Sequence, residues 1–272
     1  MGKLRKYSGY ITVSCSGPSE PSVARSRLVT IRSRAGADLR YTTADADFLY
    51  RHFSSRHYDA QPEDLHIRLV NPKRKDLLDA VAAMSYRLNA FRGKPHWSGG
   101  CIHLIYAGHG REGDGALVFP DGELTAQEYL ACVANYAPPS ETRTRLDLCL
   151  DSCFSGAFIN ELLNEAASRY KSSVSPCSLF AAASHDEFAW ELPKYGHGIW
   201  TYAFMQELRK PSLCQRRPAL LARVLIRRLL GLERRELHSG GVSFMTAGRQ
   251  HSCFYENGTF MVDGAGLMNN SP

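Results

Sequence analysis

The sequence predicts an α/β protein, a three-layer sandwich in which helices cover both faces of a mostly parallel β-sheet. Apolar runs of strand length alternate with helix-length segments along the 272 residues, as expected for parallel strands joined by helical crossovers. The runs 101–106 and 146–150 are apolar at nearly every position, which is typical of strands buried on both faces. Reactive side chains follow both runs directly, at the edge where open parallel sheets place their functional sites.

Elements of the N-terminal half follow from hydrophobic periodicity and turn residues. Apolar residues three and four positions apart predict a helix over 75–91. The run 116–119 and the following Asp-Gly predict a small hairpin, and Thr125 is the expected N-cap of a helix over 125–135. The other predicted elements are strands at 10–15, 28–31, 65–70 and 101–106, a helix at 45–53 and a long loop over 16–38.

Elements of the C-terminal half continue the alternation. A helix is expected to begin near Ala157, and the polar residues 164–176 predict a linker. The other predicted elements are strands at 146–150, 178–183 and 242–246, helices at 199–208 and 220–230, and a C-terminal segment at 254–262.

Composition is that of an ordinary folded protein with a mildly basic charge. The chain is 44% hydrophobic and 22% charged, which argues against a disordered, collagenous or coiled-coil protein. Its 33 Lys and Arg against 27 Asp and Glu give a formal charge of +6. Its eight cysteines include no C-x-x-C pair, so we expect buried thiols in a soluble, cytoplasmic protein. No segment reaches the roughly 18 to 20 apolar residues of a membrane span, and we expect no membrane association.

Two strand-following segments carry the candidate nucleophile and base. Residues 106–110 read Tyr-Ala-Gly-His-Gly, and residues 151–156 read Asp-Ser-Cys-Phe-Ser-Gly. If neighbouring parallel strands carry them, His109 and Cys153 lie at the same sheet edge and can form a cysteine-histidine dyad. An imidazolium and a helix N-terminus near Cys153 would favour the thiolate, and the backbone N–H groups of Gly110 and Cys153 could hold an oxyanion.

These segments resemble motifs of the caspase and metacaspase superfamily of cysteine peptidases, closest to its prokaryotic caspase-like members and metacaspases. Residues 106–110 are similar to Y-S-G-H-G, and residues 151–156 are similar to the metacaspase D-S-C-H-S-G. Segments 39–49 and 183–204 resemble the start of the family's first helix and its small-subunit strand, loop and helix. The resemblance spans about residues 10 to 250 in the correct order. Ala107 and Phe154 depart from the motifs, in positions that hold Ser and often His in metacaspases.

The resemblance implies a cytosolic endopeptidase, made as a zymogen, with the six-stranded sheet of the caspase-hemoglobinase fold. The whole chain, 1–272, would form one peptidase domain. It would have a large-subunit-like part (1–168), a linker (164–177) and a small-subunit-like part (178–272). Relatives act in programmed cell death and bacterial defence, and the implied partners are a protein or peptide substrate and an activating protease or regulatory partner.

Charge predicts the residue that the enzyme recognises on the N-terminal side of the cut, called P1. Caspases cut after Asp, and the resemblance places a Gln and an Arg where this chain has Asp151 and Glu191, the latter after the pocket residue Trp190. With Asp45 added, an acidic pocket favours Arg or Lys, because a buried charge needs an opposite charge. Two alternatives stay open: Asp45 as a helix N-terminal carboxylate and Glu191 as an exposed loop residue. Arg40 also leaves Asp specificity open.

The linker suggests a site of self-processing. It contains Arg169 and Lys171, where a protease specific for basic residues could cut itself. The alternative is an uncut surface loop.

Metal, cofactor and nucleic-acid binding receive no motif support. No cofactor is expected, and calcium stays open because no D-x-D-x-D-G spacing accompanies the loop carboxylates Asp114, Asp121 and Glu123. Cys101 and His103 share a strand face, but two ligands fall short of a zinc site, so we expect a core pair and no metal.

A second class of function stays open beside catalysis. In it, a catalytically silent caspase-like scaffold binds a partner through the arginine-rich region 209–235. This region also suits the solvated face of an amphipathic helix. Nucleic-acid binding is the less favoured use of it because the region lacks interleaved aromatic residues.

Overall fold

Helices and strands alternate as the sequence predicts. The computed structural model describes residues 5–15, 29–30, 39–56, 65–90, 97–136, 143–192, 195–208, 250, 253–256 and 259–262. The predicted helix 220–230, the strand 242–246 and the basic region 209–235 lie outside these residues. In chain order the elements are β1 (Arg5–Ser14), β2 (Val29–Thr30), α1 (Thr42–Arg56), β3 (Leu65–Val70), α2 (Arg74–Ala90), β4 (Trp97–Ala107), β5 (Leu117–Phe119), β6 (Gly122–Leu124), α3 (Ala126–Tyr136), β7 (Thr144–Asp151), α4 (Ser155–Ser168), β8 (Val174–Ala181), β9 (Trp190–Leu192), β10 (His197–Gly198), α5 (Ile199–Leu208), β11 (Cys253–Glu256) and β12 (Thr259–Val262).

The central sheet is mostly parallel, which confirms the predicted fold class. Its strand order is β12-β11-β8-β7-β4-β1-β3. The five strands from β8 to β3 pair in parallel, whereas β11 and β12 add antiparallel pairs at one edge. Seven strands of the described chain therefore form this sheet, one more than the six that the resemblance implied. A small antiparallel sheet of β10, β9 and β2 and the hairpin β5-β6 lie beside it.

Two hydrophobic cores form because successive strand residues face opposite sides of the sheet. Leu104 packs in the core with α2, α3 and α4, and its neighbour Ile105 packs in the core with α1 and α5. Both side chains are essentially fully buried, and each burial of this kind stabilises the fold by about 1.5 to 3 kcal/mol. The two helical layers thus hold the sheet, and its strand ends, in place.

Helix α3 begins at a reciprocal cap on Thr125, as predicted. The Thr125 hydroxyl accepts the Glu128 N–H at 3.2 Å, and the Glu128 carboxylate accepts the Thr125 N–H at 3.0 Å. This capping box satisfies two backbone donors at the helix start.

The predicted linker 164–177 is mostly regular structure. Residues 164–168 form the last turn of α4 and residues 174–177 begin β8, so only five residues, 169–173, connect the two elements. The Ser173 and Val174 N–H groups both donate to the Tyr170 carbonyl at 2.9 Å. The polar side chains that suggested a linker occupy the exposed end of a helix and a tight turn.

Candidate active site

The ends of β4 and β7 bring the two motif segments together. These strands are adjacent and parallel, with Ala107 paired to Asp151. His109 and Cys153 each stand two residues beyond that pair, and the Gly108 N–H donates to the Asp151 carbonyl at 3.1 Å. The structure therefore juxtaposes the two predicted catalytic residues at the carboxyl edge of the sheet.

Position 110, directly after His109, has no room for a side chain. A Cβ atom placed on Gly110 would lie 2.0 Å from the Cys153 carbonyl oxygen, far inside van der Waals contact. The backbone after His109 thus packs directly on the backbone of Cys153. Only glycine permits this approach.

His109 is 3% exposed, and the backbone on either side of it is fixed. Its carbonyl accepts the Tyr106 hydroxyl at 2.8 Å and the Val118 N–H at 3.1 Å. The Tyr106 hydroxyl also contacts the Val118 carbonyl at 2.9 Å. Tyr106 thereby ties the histidine loop to β5. The sequence contained Tyr106 in the motif but gave no sign of this positioning contact.

Cys153 stands at a sharp bend between β7 and α4. The next residue, Phe154, has a φ of 55°, in the left-handed region that non-glycine residues adopt at a cost. Its N–H donates to the Glu187 carbonyl at 2.8 Å, which helps to hold the bend. Helix α4 begins two residues after Cys153, so the thiol lies near the positive end of the helix dipole, as predicted.

The Cys153 thiol is enclosed by the segment that leads into β9. Its Sγ accepts the Ala189 N–H at 3.4 Å and lies 3.7 Å from the Ala189 carbonyl oxygen. Burial raises the pKa of the thiol well above its ordinary value, and the Ala189 N–H offsets only part of that effect. Nearby Asp151 raises the pKa further. The Cys153 thiol is therefore protonated in this structure, and the Ala189 backbone covers it.

Asp45, Asp151 and Glu191 come together next to the Cys153 strand end. They are 2%, 4% and 1% exposed, respectively, and Gly198 touches all three. Gly198 donates its N–H to Asp45 at 3.0 Å and pairs with Glu191 between β9 and β10. A Cβ on Gly198 would lie 2.7 Å from an Asp151 carboxylate oxygen.

This placement tests two alternatives to a pocket role: Glu191 as an exposed loop residue, and Asp45 as a helix N-terminal carboxylate. Glu191 is not an exposed loop residue, so that interpretation is wrong. Its carboxylate accepts the backbone N–H groups of Arg40 and Tyr41, each at 3.2 Å. Asp45 does lie in the first turn of α1, yet its carboxylate binds β10 as well.

His197 and Thr201 complete the carboxylate cluster, and the sequence analysis missed both. The Asp45 carboxylate lies 2.6 Å from His197 Nδ1, and Asp151 accepts the Thr201 hydroxyl at 2.6 Å. With its side chain 19% exposed against 3% for Asp45, His197 marks the solvent side of the cluster. His197 lies in the Tyr-Gly-His-Gly stretch that precedes α5, and Thr201 lies in the first turn of that helix, but no local pattern indicates contacts with residues so distant in sequence.

Electrostatics of the cluster favour protonated carboxyl groups. Burial, with repulsion from Asp45 and Glu191, raises the pKa of Asp151 to about 8. Burial raises the pKa of Glu191 to about 7, and it also raises that of Asp45, against the hydrogen bonds from His197 and Gly198. Such a cluster is expected to bind a cation, because a positive charge would stabilise the ionised forms.

Trp190 is 4% exposed and packs in the core with α1 and α5. Its backbone N–H donates to the Gln250 side chain at 3.3 Å, and Gln250 in turn donates to the Ala182 carbonyl at 3.0 Å. This bridge fixes the start of β9 against the end of β8. Gln250 gave no signal in the sequence.

The remaining candidate residues lie in turns or in the β5-β6 hairpin. Arg169 and Lys171 are exposed in the turn after α4, and Arg169 ion-pairs with Glu165 at 3.4 Å. Asp114 and Glu123, raised above as calcium candidates, both bind Arg111. The third, Asp121, accepts the Arg74 backbone N–H at 2.6 Å.

Membrane insertion finds no support among the described helices, none of which is long and apolar enough to cross a bilayer.

Comparisons with known proteins agree with this architecture. The structure is similar to that of caspase-1 from Spodoptera frugiperda, with a TM-score of 0.53 and 12% identity over 93% of this chain and 87% of that one. It also matches a Geobacter sulfurreducens protein with a TM-score of 0.46 and 16% identity over 83% of this chain and 89% of the other. No curated protein matches the sequence. The family model of the caspase domain matches residues 29–259, and the chain therefore belongs to the caspase domain family of cysteine peptidases.

Proposed function

We propose that this chain is a cysteine endopeptidase in which Cys153 is the nucleophile, His109 is the general acid and base, and Arg or Lys is the preferred P1 residue. The observation that carries the proposal is the buried group of Asp45, Asp151 and Glu191, joined to the nucleophile through the β7 end. Asp151, the last residue of β7, precedes Cys153 by two residues, so the end of this strand positions both the pocket and the nucleophile.

The reaction uses the dyad in two steps. The Cys153 thiolate, whose proton has passed to His109, attacks the scissile carbonyl while the backbone N–H groups of Gly110 and Cys153 hold the oxyanion. His109 then protonates the leaving amine, and an acyl-enzyme remains. Water attacks the acyl-enzyme with His109 as base, which releases the acid product and regenerates the thiol.

P1 specificity follows from the cost of buried charge. Asp151 and Glu191, with pKa values of about 8 and 7, are costly to ionise alone. A guanidinium or ammonium group between them removes that cost, whereas a P1 carboxylate would add a negative charge to a cluster that already resists ionisation. His197, on the solvent side of the cluster, is where an incoming cation would approach Asp45.

Latency is the second part of the proposal. The Cys153 thiol contacts the Ala189 backbone and is fully buried, so no substrate carbonyl can reach it until residues 187–189 move. Phe188 holds this segment against the site, since its ring meets the Phe154 ring edge to face, with centroids 5.0 Å apart. The contacts of Cys153 with Ala189 and of Phe188 with Phe154 are those of a zymogen. Its activation would break them by moving residues 187–189.

Self-processing at Arg169 or Lys171 is the third part. Both residues are exposed and meet the proposed P1 preference. The turn 169–173 is closed by backbone hydrogen bonds, so cleavage requires it to open. A second enzyme molecule is the expected agent, because the turn lies at the amino end of β8, opposite the edge that carries the dyad.

The test is hydrolysis of matched fluorogenic peptides ending in Arg, Lys or Asp by the purified Phe188→Ala protein, in which the 187–189 segment is loosened, and by the same protein carrying Cys153→Ala or His109→Ala. Turnover of the basic peptides that is lost in both variants supports the proposal. Cys149→Ala is the matched control, because it removes a buried thiol from β7, the strand that leads to Cys153, and leaves both dyad residues in place. Turnover of the Asp peptide alone would contradict the specificity, and turnover that survives Cys153→Ala would contradict the mechanism.

A further inference from the structure

A second group of reactive side chains lies on β4 and β7, away from the candidate active site. Cys101, His103 and Asp147 each offer one ligand atom, and these atoms all lie within 4.8 Å of one another. Cys101 and His103 are 2% and 5% exposed, and the Asp147 side chain is 14% exposed. The proposed peptidase mechanism uses none of them.

Strand register creates this group. His103 pairs directly with Asp147 in the parallel β4-β7 ladder, and Cys101 lies two residues before His103 on the same face. All three lie in the middle of their strands, whereas His109 and Cys153 follow the strand ends. His103 lies four strand residues before the end of β4 at Ala107, or roughly 13 Å, and His109 lies beyond that end, so the two groups are separate sites.

The distances suit a tetrahedral metal ion. One Asp147 carboxylate oxygen lies 3.4 Å from Cys101 Sγ and 3.2 Å from His103 Nδ1. Zinc at its usual bond lengths to sulfur, nitrogen and oxygen places such ligands about 3.5 Å and 3.3 Å apart. Two of the three distances between ligand atoms thus match the spacing that the ion requires, and the third, between the Cys101 and His103 ligand atoms, is within 4.8 Å.

The neighbouring backbone fixes the carboxylate in the manner of a metal site's outer shell. The Ser178 N–H on β8 donates to the other Asp147 oxygen at 3.0 Å, which leaves the ligand oxygen aimed at Cys101 and His103. Outer hydrogen bonds of this kind orient metal ligands and increase affinity.

We propose that Cys101, His103 and Asp147 form a binding site for zinc or a similar divalent transition metal, with water as the fourth ligand. On binding, the Cys101 thiol releases its proton to solvent and Sγ, His103 Nδ1 and the Asp147 oxygen bond to the ion. One thiolate and one carboxylate neutralise the two positive charges, so the buried site carries no net charge. The ion would bridge the two strands that carry the candidate dyad and serve stability rather than catalysis.

Metal binding is tested in the Cys153→Ala background, which removes zinc binding through the candidate nucleophile. The purified protein should retain about one zinc ion per chain by elemental analysis. Replacement by cobalt should give the near-ultraviolet thiolate charge-transfer band together with the visible bands of a tetrahedral ion. Absence of both retained zinc and the cobalt bands would overturn the proposal.

Ligand variants assign the site. Cys101→Ser and His103→Gln should each weaken zinc binding in a chelator competition by roughly a hundredfold or more, and Cys101→Ser should abolish the charge-transfer band. Cys132→Ser, which changes a half-buried thiol on α3, is the matched control and should leave both readouts unchanged. Unchanged affinity in the two ligand variants would overturn the assignment.

A thermal unfolding measurement on protein with all three ligands intact separates zinc binding from folding defects in the ligand variants. Zinc should raise the thermal unfolding midpoint of the Cys153→Ala protein, whose three ligands are intact, and a chelator should reverse the rise. No rise at saturating zinc would contradict a site built into the folded state.

Discussion

Replacing Asp151 with Asn should remove most of the discrimination between a charged and an uncharged P1 residue. Asn keeps the shape of the side chain and an oxygen that can accept a hydrogen bond from the Thr201 hydroxyl. In the unmodified chain this hydroxyl lies 2.6 Å from an Asp151 carboxylate oxygen. The substitution removes one ionisable group from the pocket and leaves Asp45 and Glu191 in place. Its effect therefore reports the electrostatic part of P1 recognition.

The magnitude follows from two opposing terms. A carboxylate about 4 Å from a P1 guanidinium contributes roughly 4 kcal/mol at an effective dielectric constant near 20. Ionising Asp151 at pH 7, with its pKa of about 8, costs about 1.4 kcal/mol. The difference, about 2.6 kcal/mol, corresponds to a roughly 100-fold loss of preference.

The assay compares kcat/KM for two peptides that end in Arg and in citrulline, which has nearly the same shape but no charge. The ratio cancels changes in the dyad and isolates the pocket. Asp186→Asn removes an exposed carboxylate from the loop before β9 and serves as the control, with no expected change. A ratio unaffected by Asp151→Asn would refute the pocket assignment.

The same pair of peptides gives a pH test. Since ionisation of Asp151 becomes more costly below its pKa of about 8, the preference for Arg over citrulline should weaken as the pH is lowered from 8 to 6. A preference that grows over this range would contradict the role of Asp151.

Three further predictions concern the close approach, the covering segment and stability. Gly110→Ala should lower the free energy of unfolding by about 1 to 3 kcal/mol and abolish turnover, because its Cβ would meet the Cys153 carbonyl; a variant with normal thermal stability and activity would contradict that contact. Phe188→Ala should speed alkylation of Cys153, measured by peptide mass spectrometry, by about fivefold, because it removes a ring contact of roughly 1 kcal/mol; an unchanged rate would show that the segment does not cover the thiol. Because folding raises the pKa values of Asp151 and Glu191, to about 8 and 7, their contribution to stability is complete below pH about 4 and is lost as the pH rises through those values. Thermal melts from pH 5 to 9 should therefore show a smaller decline for Asp151→Asn than for the unmodified chain, and an equal decline would contradict the raised pKa.

Much of the fold could be predicted from the sequence because hydrophobic periodicity reports burial directly. The strand Leu65–Val70 and the helix Ile199–Leu208 have the predicted bounds. The irregular connection within the predicted linker is short, since polarity alone does not distinguish a loop from the exposed end of a helix. Residues 164–168 are polar where α4 faces solvent, yet they keep the helical hydrogen bonds.

Some features of the candidate site could likewise be predicted from the sequence, and others could not. His109 and Cys153 could be placed together because each follows a buried strand, and parallel strands end at one edge. The contacts of His197 with Asp45 and of Thr201 with Asp151 join distant segments, and no local pattern specifies such partners. Asp147 escaped notice for the same reason, since only the register of β4 with β7 brings it beside His103.

The covered state of Cys153 could not be predicted either. It depends on how residues 187–189 pack on the bend at Phe154, which is decided by the tertiary fold. Burial then raises the pKa of the thiol, opposing the effect of the helix N-terminus that the sequence suggested. Desolvation is the largest effect on this pKa, and no local sequence pattern indicates it.

The most direct test of the central claim is covalent capture of the nucleophile by a peptide chloromethyl ketone that ends in Arg, read by intact-protein and peptide mass spectrometry. The Phe188→Ala variant is included so that the 187–189 segment does not block access. We expect one adduct per chain, located on Cys153, lost in His109→Ala, and not formed by the matched reagent that ends in Asp. Labelling of another cysteine, or labelling of Cys153 that is equal with the Asp reagent and independent of His109, would contradict the account.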